Sequence, residues 1–409
     1  MVERALDPEL WKLLSIPVVA GAIGWSTNWL AVQMTFWPLE FVGAWPPILG
    51  WQGIIPAKAR KMASIAVDST LSKLASLREI FDRMEPQRVA EHVIRTVEPR
   101  LDEYVAEIMR EQNPKVWQSL PPPVKEAVFL RVRQQLPRLA SGLIVDIRER
   151  IEELMDLKDM VIRQLVRDRT LLTRMFLECG AAELRFVVNS GLWFGLLFGV
   201  PQMVLWIFYK GWWVLPVAGL VVGYVTNWLA LHLIFEPLEP KKIGPFVLQG
   251  LFLRRQKEVA ATYCRLVTRE VLTVRNFVDA MLNGPKGDRT QALIRRHVKR
   301  VVDDLIGVAR PAVELAVGPA EYARLKESVA GKALAIARDP FDDPVFNEER
   351  AAVVEQVTRE RMESMTPAEF QDLLRPAFHE DEYKLILVGA VLGFAAGLGQ
   401  LVLVFGGIQ

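Results

Sequence analysis

Residues 13–36 read LLSIPVVAGAIGWSTNWLAVQMTF, twenty-four positions without a single Asp, Glu, Lys or Arg. At 1.5 Å of rise per residue a helix of this length covers the roughly 30 Å hydrocarbon layer of a bilayer, whereas a buried globular helix seldom needs so long an uncharged run. Three further windows share the property: Phe186 to Tyr209, Gly211 to Phe235 and Leu385 to Phe405. Trp11, Trp25, Trp29, Trp37, Trp206, Trp212 and Trp213 gather around these runs, several at their ends, where an aromatic belt belongs. The sequence therefore predicts four transmembrane helices.

Composition agrees. The 409 residues are 51% hydrophobic and 24% charged, with a net charge of +2. Ordinary charge beside excess apolar content implies segregation along the chain, and it excludes a disordered chain or a strongly basic nucleic-acid binder. Two cysteines, Cys179 and Cys264, make neither a disulfide framework nor a CxxC site. Only Lys210 separates the second and third windows, so these form a tight hairpin. The other two connections each run for about 150 residues and must then share one membrane face. Fifteen Lys and Arg lie near the spans on that face, against Arg4, Lys12 and Lys210 on the other, which by the positive-inside rule makes the long regions cytoplasmic. The N-terminus lacks a cationic n-region with a small-residue cleavage site, so the first span is not read as a removable signal. The expected organisation is a first transmembrane helix in 1–40, a helical soluble region in 41–185, a transmembrane hairpin in 186–236, a second soluble region in 237–384 and a last transmembrane helix in 385–409.

Internal repetition is the strongest pattern. Gly24-Trp-Ser-Thr-Asn-Trp-Leu-Ala31 returns as Gly223-Tyr-Val-Thr-Asn-Trp-Leu-Ala230. Phe36, Pro38, Leu39 and Glu40 return as Phe235, Pro237, Leu238 and Glu239, and Gln52-Gly53 as Gln249-Gly250. The basic clusters Lys58, Arg60, Lys61 and Arg254, Arg255, Lys257 hold nearly equivalent places. Arg78, Asp82 and Met84 match Arg275, Asp279 and Met281, and Gly191, Gly195, Gly199 and Gln202 match Gly389, Gly393, Gly397 and Gln400. An ordered series running end to end implies two copies of one unit. Each copy has an even number of spans, so the copies enter the membrane in the same sense, as parallel repeats packed about a pseudo-twofold along the membrane normal. The expected fold class is all-α: four transmembrane helices in two parallel tandem repeats, with a helical cytoplasmic bundle.

The Gly-x-x-Thr-Asn-Trp-Leu-Ala helix, the Pro-Leu-Glu exit, the Gln-Gly segment before a basic helix and the glycine-spaced final span resemble the YheB/YjiN-type bacterial membrane proteins, a family of unknown function. The resemblance implies a bacterial membrane protein and carries over no catalytic residues.

Between the spans the apolar spacing turns helical. Val67, Leu71, Leu74, Phe81 and Met84 mark one face, Val89, Val93, Val97, Leu101, Tyr104 and Ile108 the next, and Val298, Val302 and Leu305 one in the second copy. Prolines at Pro86, Pro114, Pro121 to Pro123, Pro137, Pro311 and Pro344 break these stretches, and Thr366-Pro367-Ala368-Glu369 reads as a capping box. No strand alternation is evident. The amphipathic faces pack against one another or enclose an apolar groove for acyl chains or a partner helix, and periodicity alone does not separate the two.

Polar residues inside the spans are the candidate functional positions, because they are costly in hydrocarbon. Asn28 pairs with Asn227 in the repeat, Gln33 with His232, and Gln202 with Gln400. Asn28 stands eight residues, about 12 Å, from the end of its span at Phe36. Its amide can bond across a close helix contact opened by Gly24 and Gly223, or it can line a solute or lipid path. The series Gly191, Gly195, Gly199 and Gly389, Gly393, Gly397 place three glycines on one face of each helix for close packing. Trp37, Pro38, Trp45, Pro46, Pro47, Trp51 and Pro56, with Pro237, Pro240, Pro245 and Phe246, suit loops at headgroup level, and the basic clusters that follow are candidate contacts for anionic lipid. No HExxH, GxSxG or P-loop is present, and His92, His232, His297 and His379 are scattered, with His379-Glu380-Asp381-Glu382 a solvated turn. The expectation is a non-enzymatic scaffold without cofactor or metal, in the bacterial inner membrane. Its partners are membrane lipids, with a protein partner or a homo-oligomer admitted and nucleic acid excluded. The alternative is a transporter or lipid conduit along the pseudo-twofold.

Overall fold

The computed structural model describes residues 8–45, 49–68, 75–244, 246–307, 318–372 and 382–406. Arg4, Pro46, Pro47, Leu71, Leu74, Pro245, Pro311 and residues 379–381, named above, lie outside them. In chain order the main elements are α1 (Pro8–Phe36), β1 (Val42–Trp45), β2 (Leu49–Trp51), α2 (Ala59–Ala66), α3 (Leu77–Arg83), α4 (Pro86–Val97), α5 (Leu101–Gln112), α6 (Pro122–Leu154), α7 (Leu157–Arg167), α8 (Arg169–Cys179), α9 (Ala181–Phe208) and α10 (Val214–Phe235). There follow β3 (Lys241–Ile243), β4 (Phe246–Leu248), α11 (Gln256–Leu266), α12 (Val274–Asn283), α13 (Gly287–Ile306), α14 (Pro319–Ile336), α15 (Pro344–Ser364) and α16 (Glu382–Leu403). Two compact units result, one of residues 1–72, 165–263 and 359–409, the other of 73–164 and 264–358.

The first unit holds the helices that are long and apolar enough to cross a membrane, four of them among the described residues: Leu10–Phe36, Ala181–Phe208, Val214–Phe235 and Ile386–Leu403. They meet in one bundle. Ile16 of α1, Trp206 of α9, Val214 and Leu215 of α10 and Leu401 of α16 form a common buried cluster. Trp206 is thus a core residue, 5% exposed, where the belt reading put it at the lipid interface. Tight pairing joins α1 to α9 and α10 to α16.

Both spans that carry the Thr-Asn-Trp-Leu-Ala motif end in the same construction. The Pro/Gly-rich exits, expected as loops, fold into two-stranded antiparallel ribbons, β1 with β2 and β3 with β4. Alternation was invisible because the strands are only three or four residues long. The Trp37-Pro38 and Glu236-Pro237 peptides are both cis. Gly53 N–H donates to Pro38 O at 2.9 Å and Gly250 N–H to Pro237 O at 3.0 Å. The Gln52 amide donates to Leu39 O at 2.8 Å and the Gln249 amide to Leu238 O at 3.3 Å. The Gln-Gly motif is thereby explained: the amide holds the Pro-Leu turn, and a Cβ on either glycine would strike the backbone at the end of the preceding span.

The second unit is built from amphipathic helices. Ser76 caps α3 through Glu79 N and Thr273 caps α12 through Asn276 N, each at 3.2 Å. Pro86, Pro114, Pro122 and Pro344 each open a helix, where the missing N–H costs nothing. Pro137 does not break its helix as expected, since α6 continues through it. Its flanks Leu136 and Ala140 are buried, and that tertiary packing outweighs the single lost backbone bond. Helix α6 packs on α4 and α13, and α13 on α14, around a core of Leu282, Ile294, Val298 and Ala330.

Candidate functional site

In the membrane unit the glycines set how close the helices come. A Cβ on Gly24 would collide with the carbonyl oxygen of Gly191, and one on Gly223 with that of Gly389. Gly195 stands against the backbone of Ala20 and Gly21, Gly199 against Pro17, Gly393 against Gly219 and Gly397 against Leu215. Gly219 was not singled out from the sequence, although its four-residue spacing to Gly223 carries the signal. Such contacts bring backbones together and expose carbonyls to a neighbouring donor.

Asn28 uses that opening. Its Nδ2 donates to Val187 O at 2.7 Å, and the same oxygen accepts from Ser190 Oγ at 2.9 Å. Asn28 is 1% exposed and its Oδ1 has no hydrogen-bond partner. Asn227, 3% exposed, lies with its amide against Gly389. Asn28 thus sits at the contact of α1 with α9, while Asn227 lies against α16 and also lines a space of about 70 Å³ with Ala31 and Val187. The glutamines do converge: Gln202 and Gln400 line one small cavity with Thr27, Gly24, Gly223 and Gly397. Its room is about 20 Å³, enough for one water. Gln400 Nε2, buried there, has no partner within the protein. Gln33 is half-buried, and His232, in the last turn of α10, contacts Glu236 at 3.2 Å and stacks on Trp228.

Of the basic residues, Arg60, Lys61, Arg254 and Lys257 are exposed and Lys58 half-buried. Arg255 is engaged by protein. Its guanidinium binds Glu258 at 2.6 and 2.9 Å and both oxygens of Glu183 at 2.8 and 2.9 Å. The hydrogen bonds that Arg255 donates to Glu258, then to Glu183, hold its pKa above the ordinary value, and the bond to Glu258 holds that carboxyl below its own. Glu183, 4% exposed at the start of α9, was missed in the sequence. The signal was an acidic residue in the first turn of an apolar helix, where the helix dipole favours negative charge.

In the second unit the histidines hold structure together. His92 Nε2 donates to Pro340 O at 2.7 Å, with its ring stacked on Phe346, and His297 bonds Asp146 at 2.8 Å. That bond keeps the Asp146 carboxyl below the usual carboxylate range, as Arg148 does for Asp82. Among the described residues no three His, Cys, Asp or Glu side chains come together as a metal site requires.

The helices of this unit also line a partly open apolar pocket of about 180 Å³, with walls that include Phe81, Met84, Leu136, Phe277, Met281 and Phe341. Thr290 lines it, 1% exposed, with no hydrogen-bond partner for its hydroxyl.

No family model matches the chain, and no solved structure matches it. Two bacterial relatives, each named a UPF0754 membrane protein, share part of it. That of Exiguobacterium sibiricum is 42% identical over 60 residues, 14% of this chain and 16% of the relative. That of Cyanothece sp. is 30% identical over 93 residues, 22% of this chain and 23% of the relative. The chain thus spans less than a quarter of the length of the curated relatives it matches. The partial relatives support an uncharacterised bacterial membrane family, and their names together with the four apolar helices support membrane localisation.

Proposed function

We propose that this chain is a non-enzymatic scaffold of the bacterial inner membrane, of the YheB/YjiN type, built as two parallel tandem repeats whose helical soluble regions lie in the cytoplasm and engage lipid or protein partners. The duplication is supported by the paired details at the span exits, where Gly53 bonds Pro38 as Gly250 bonds Pro237. A scaffold is favoured over a conduit by one observation: the spaces found between the spans are small, about 20 Å³ at the glutamines and about 70 Å³ beside Asn227. Glycine faces meet backbone to backbone, the Asn28 amide is engaged by Val187 O, and the room shared by all four helices is that of one water. A solute or lipid path would need a continuous polar or open lumen. Around the bundle, exposed Trp45, Leu49 and Trp51 on the first ribbon and Lys241 and Lys242 on the second suit a headgroup layer.

Reconstitution separates the two roles. Vesicles containing the protein should retain a trapped fluorescent solute, and should exchange labelled lipid between leaflets no faster than protein-free vesicles. Asn28→Leu with Asn227→Leu should lower thermal stability without altering either rate. Flux above background that disappears in the double variant would replace the scaffold with the conduit.

A further inference from the structure

We propose that the apolar chamber of the second unit is a binding site for one fatty acyl group, with the hydrocarbon filling the pocket and the acyl carbonyl accepting a hydrogen bond from Thr290. A ligand here adds to the scaffold role and does not depend on it. The chamber belongs wholly to the second unit, with walls from α3, α4 and α6 on one side and α12, α13 and α14 on the other.

Size and chemistry select the occupant. A dry cavity of about 150 Å³ accommodates one benzene, so about 180 Å³ accommodates roughly seven carbons. A helix with its side chains is about 10 Å across and could not enter such a space. A water-filled chamber would need two to four polar partners per water, and the walls offer apolar side chains with Thr290 as the buried unpartnered hydroxyl. That hydroxyl marks where the ligand's oxygen belongs, since a buried donor left without an acceptor is costly and a purely hydrocarbon ligand would leave it so. Met84 and Met281, flexible enough to repack around chains of differing shape, stand in the wall.

The test uses the full-length protein in vesicles of phosphatidylethanolamine and phosphatidylglycerol, with the methyl ester of a fatty acid of about seven carbons bearing a diazirine near its methyl end. Irradiation followed by peptide mapping should label residues 136–147 and 274–298. Ala140→Phe, which pushes a ring into the chamber, should abolish that labelling while raising the unfolding temperature. Thr290→Val keeps the shape and removes the hydroxyl, and should weaken competition by unlabelled octanoate methyl ester by roughly three- to tenfold. Labelling confined to the four spans, or undiminished in folded Ala140→Phe, would overturn the assignment. Should Ala140→Phe fail to fold, an unchanged affinity in Thr290→Val would overturn it equally.

Discussion

Glu183 is the buried carboxylate among the described residues, and it lies at the entry of α9 into the apolar bundle. A carboxylate taken out of water needs a partner of opposite charge and several hydrogen bonds, and Arg255 supplies both through a two-point contact. Arg255 is itself shared with the exposed Glu258. Removing the Glu183 charge therefore leaves the guanidinium with one solvated partner, at a cost of about 3 kcal/mol, the low end for a broken buried pair. Thermal unfolding in detergent should show that loss for Glu183→Gln and almost none for Glu258→Gln. Equal losses would mean that the pair does not anchor this helix end. Arg255 was legible in the sequence only as one of a basic cluster. Charge and position suggested lipid, while the partner that occupies it lies seventy-two residues away and no local spacing betrays it.

At the level of elements, the four spans were legible because charge-free length is a direct physical requirement of the bilayer. The capping box at Thr366 was legible because it is local, and Thr366 and Glu369 do exchange backbone N–H bonds at 2.9 and 3.3 Å. What was not legible is which glycine faces what. Gly397 and Gly399 lie two residues apart in α16, yet a Cβ at Gly397 would strike the backbone of Leu215 and Pro216, while one at Gly399 meets nothing within 4 Å. The helix face decides this, and the face is set by the partner helix. Gly24→Ala and Gly397→Ala should each destabilise the protein by about 1–3 kcal/mol, because the backbones must separate. Gly399→Ala should be neutral or gain up to ~1 kcal/mol from helix propensity. Detergent melts of the three variants check the contrast, and a loss at Gly399 equal to that at Gly397 would refute the packing assignment.

For the whole molecule, the expectation of equivalent residues facing one another across a central axis is met differently at different depths. Gln202 and Gln400 share a cavity, whereas Asn28 bonds Val187 O across the contact of α1 with α9 and the Asn227 amide lies against Gly389 of α16. The proposed duplicated two-span unit would explain this, since each copy could close its own hairpin of spans before the copies associate. Its strongest consequence is topological. Two spans per copy return the chain to its starting side, so both soluble segments must be reachable from one compartment and the Lys210 turn from the other. The native cysteines are buried, Cys179 at 8% and Cys264 at 1% exposure, so single introduced cysteines can be read against a low background. Arg131→Cys and Val345→Cys, both on exposed positions, should resist an impermeant maleimide in intact spheroplasts and react after permeabilisation. Lys210→Cys should react from outside. Opposite behaviour of the first two variants would contradict parallel duplication, while protection of Lys210→Cys with exposure of both others would keep the duplication and invert the orientation drawn from the positive residues.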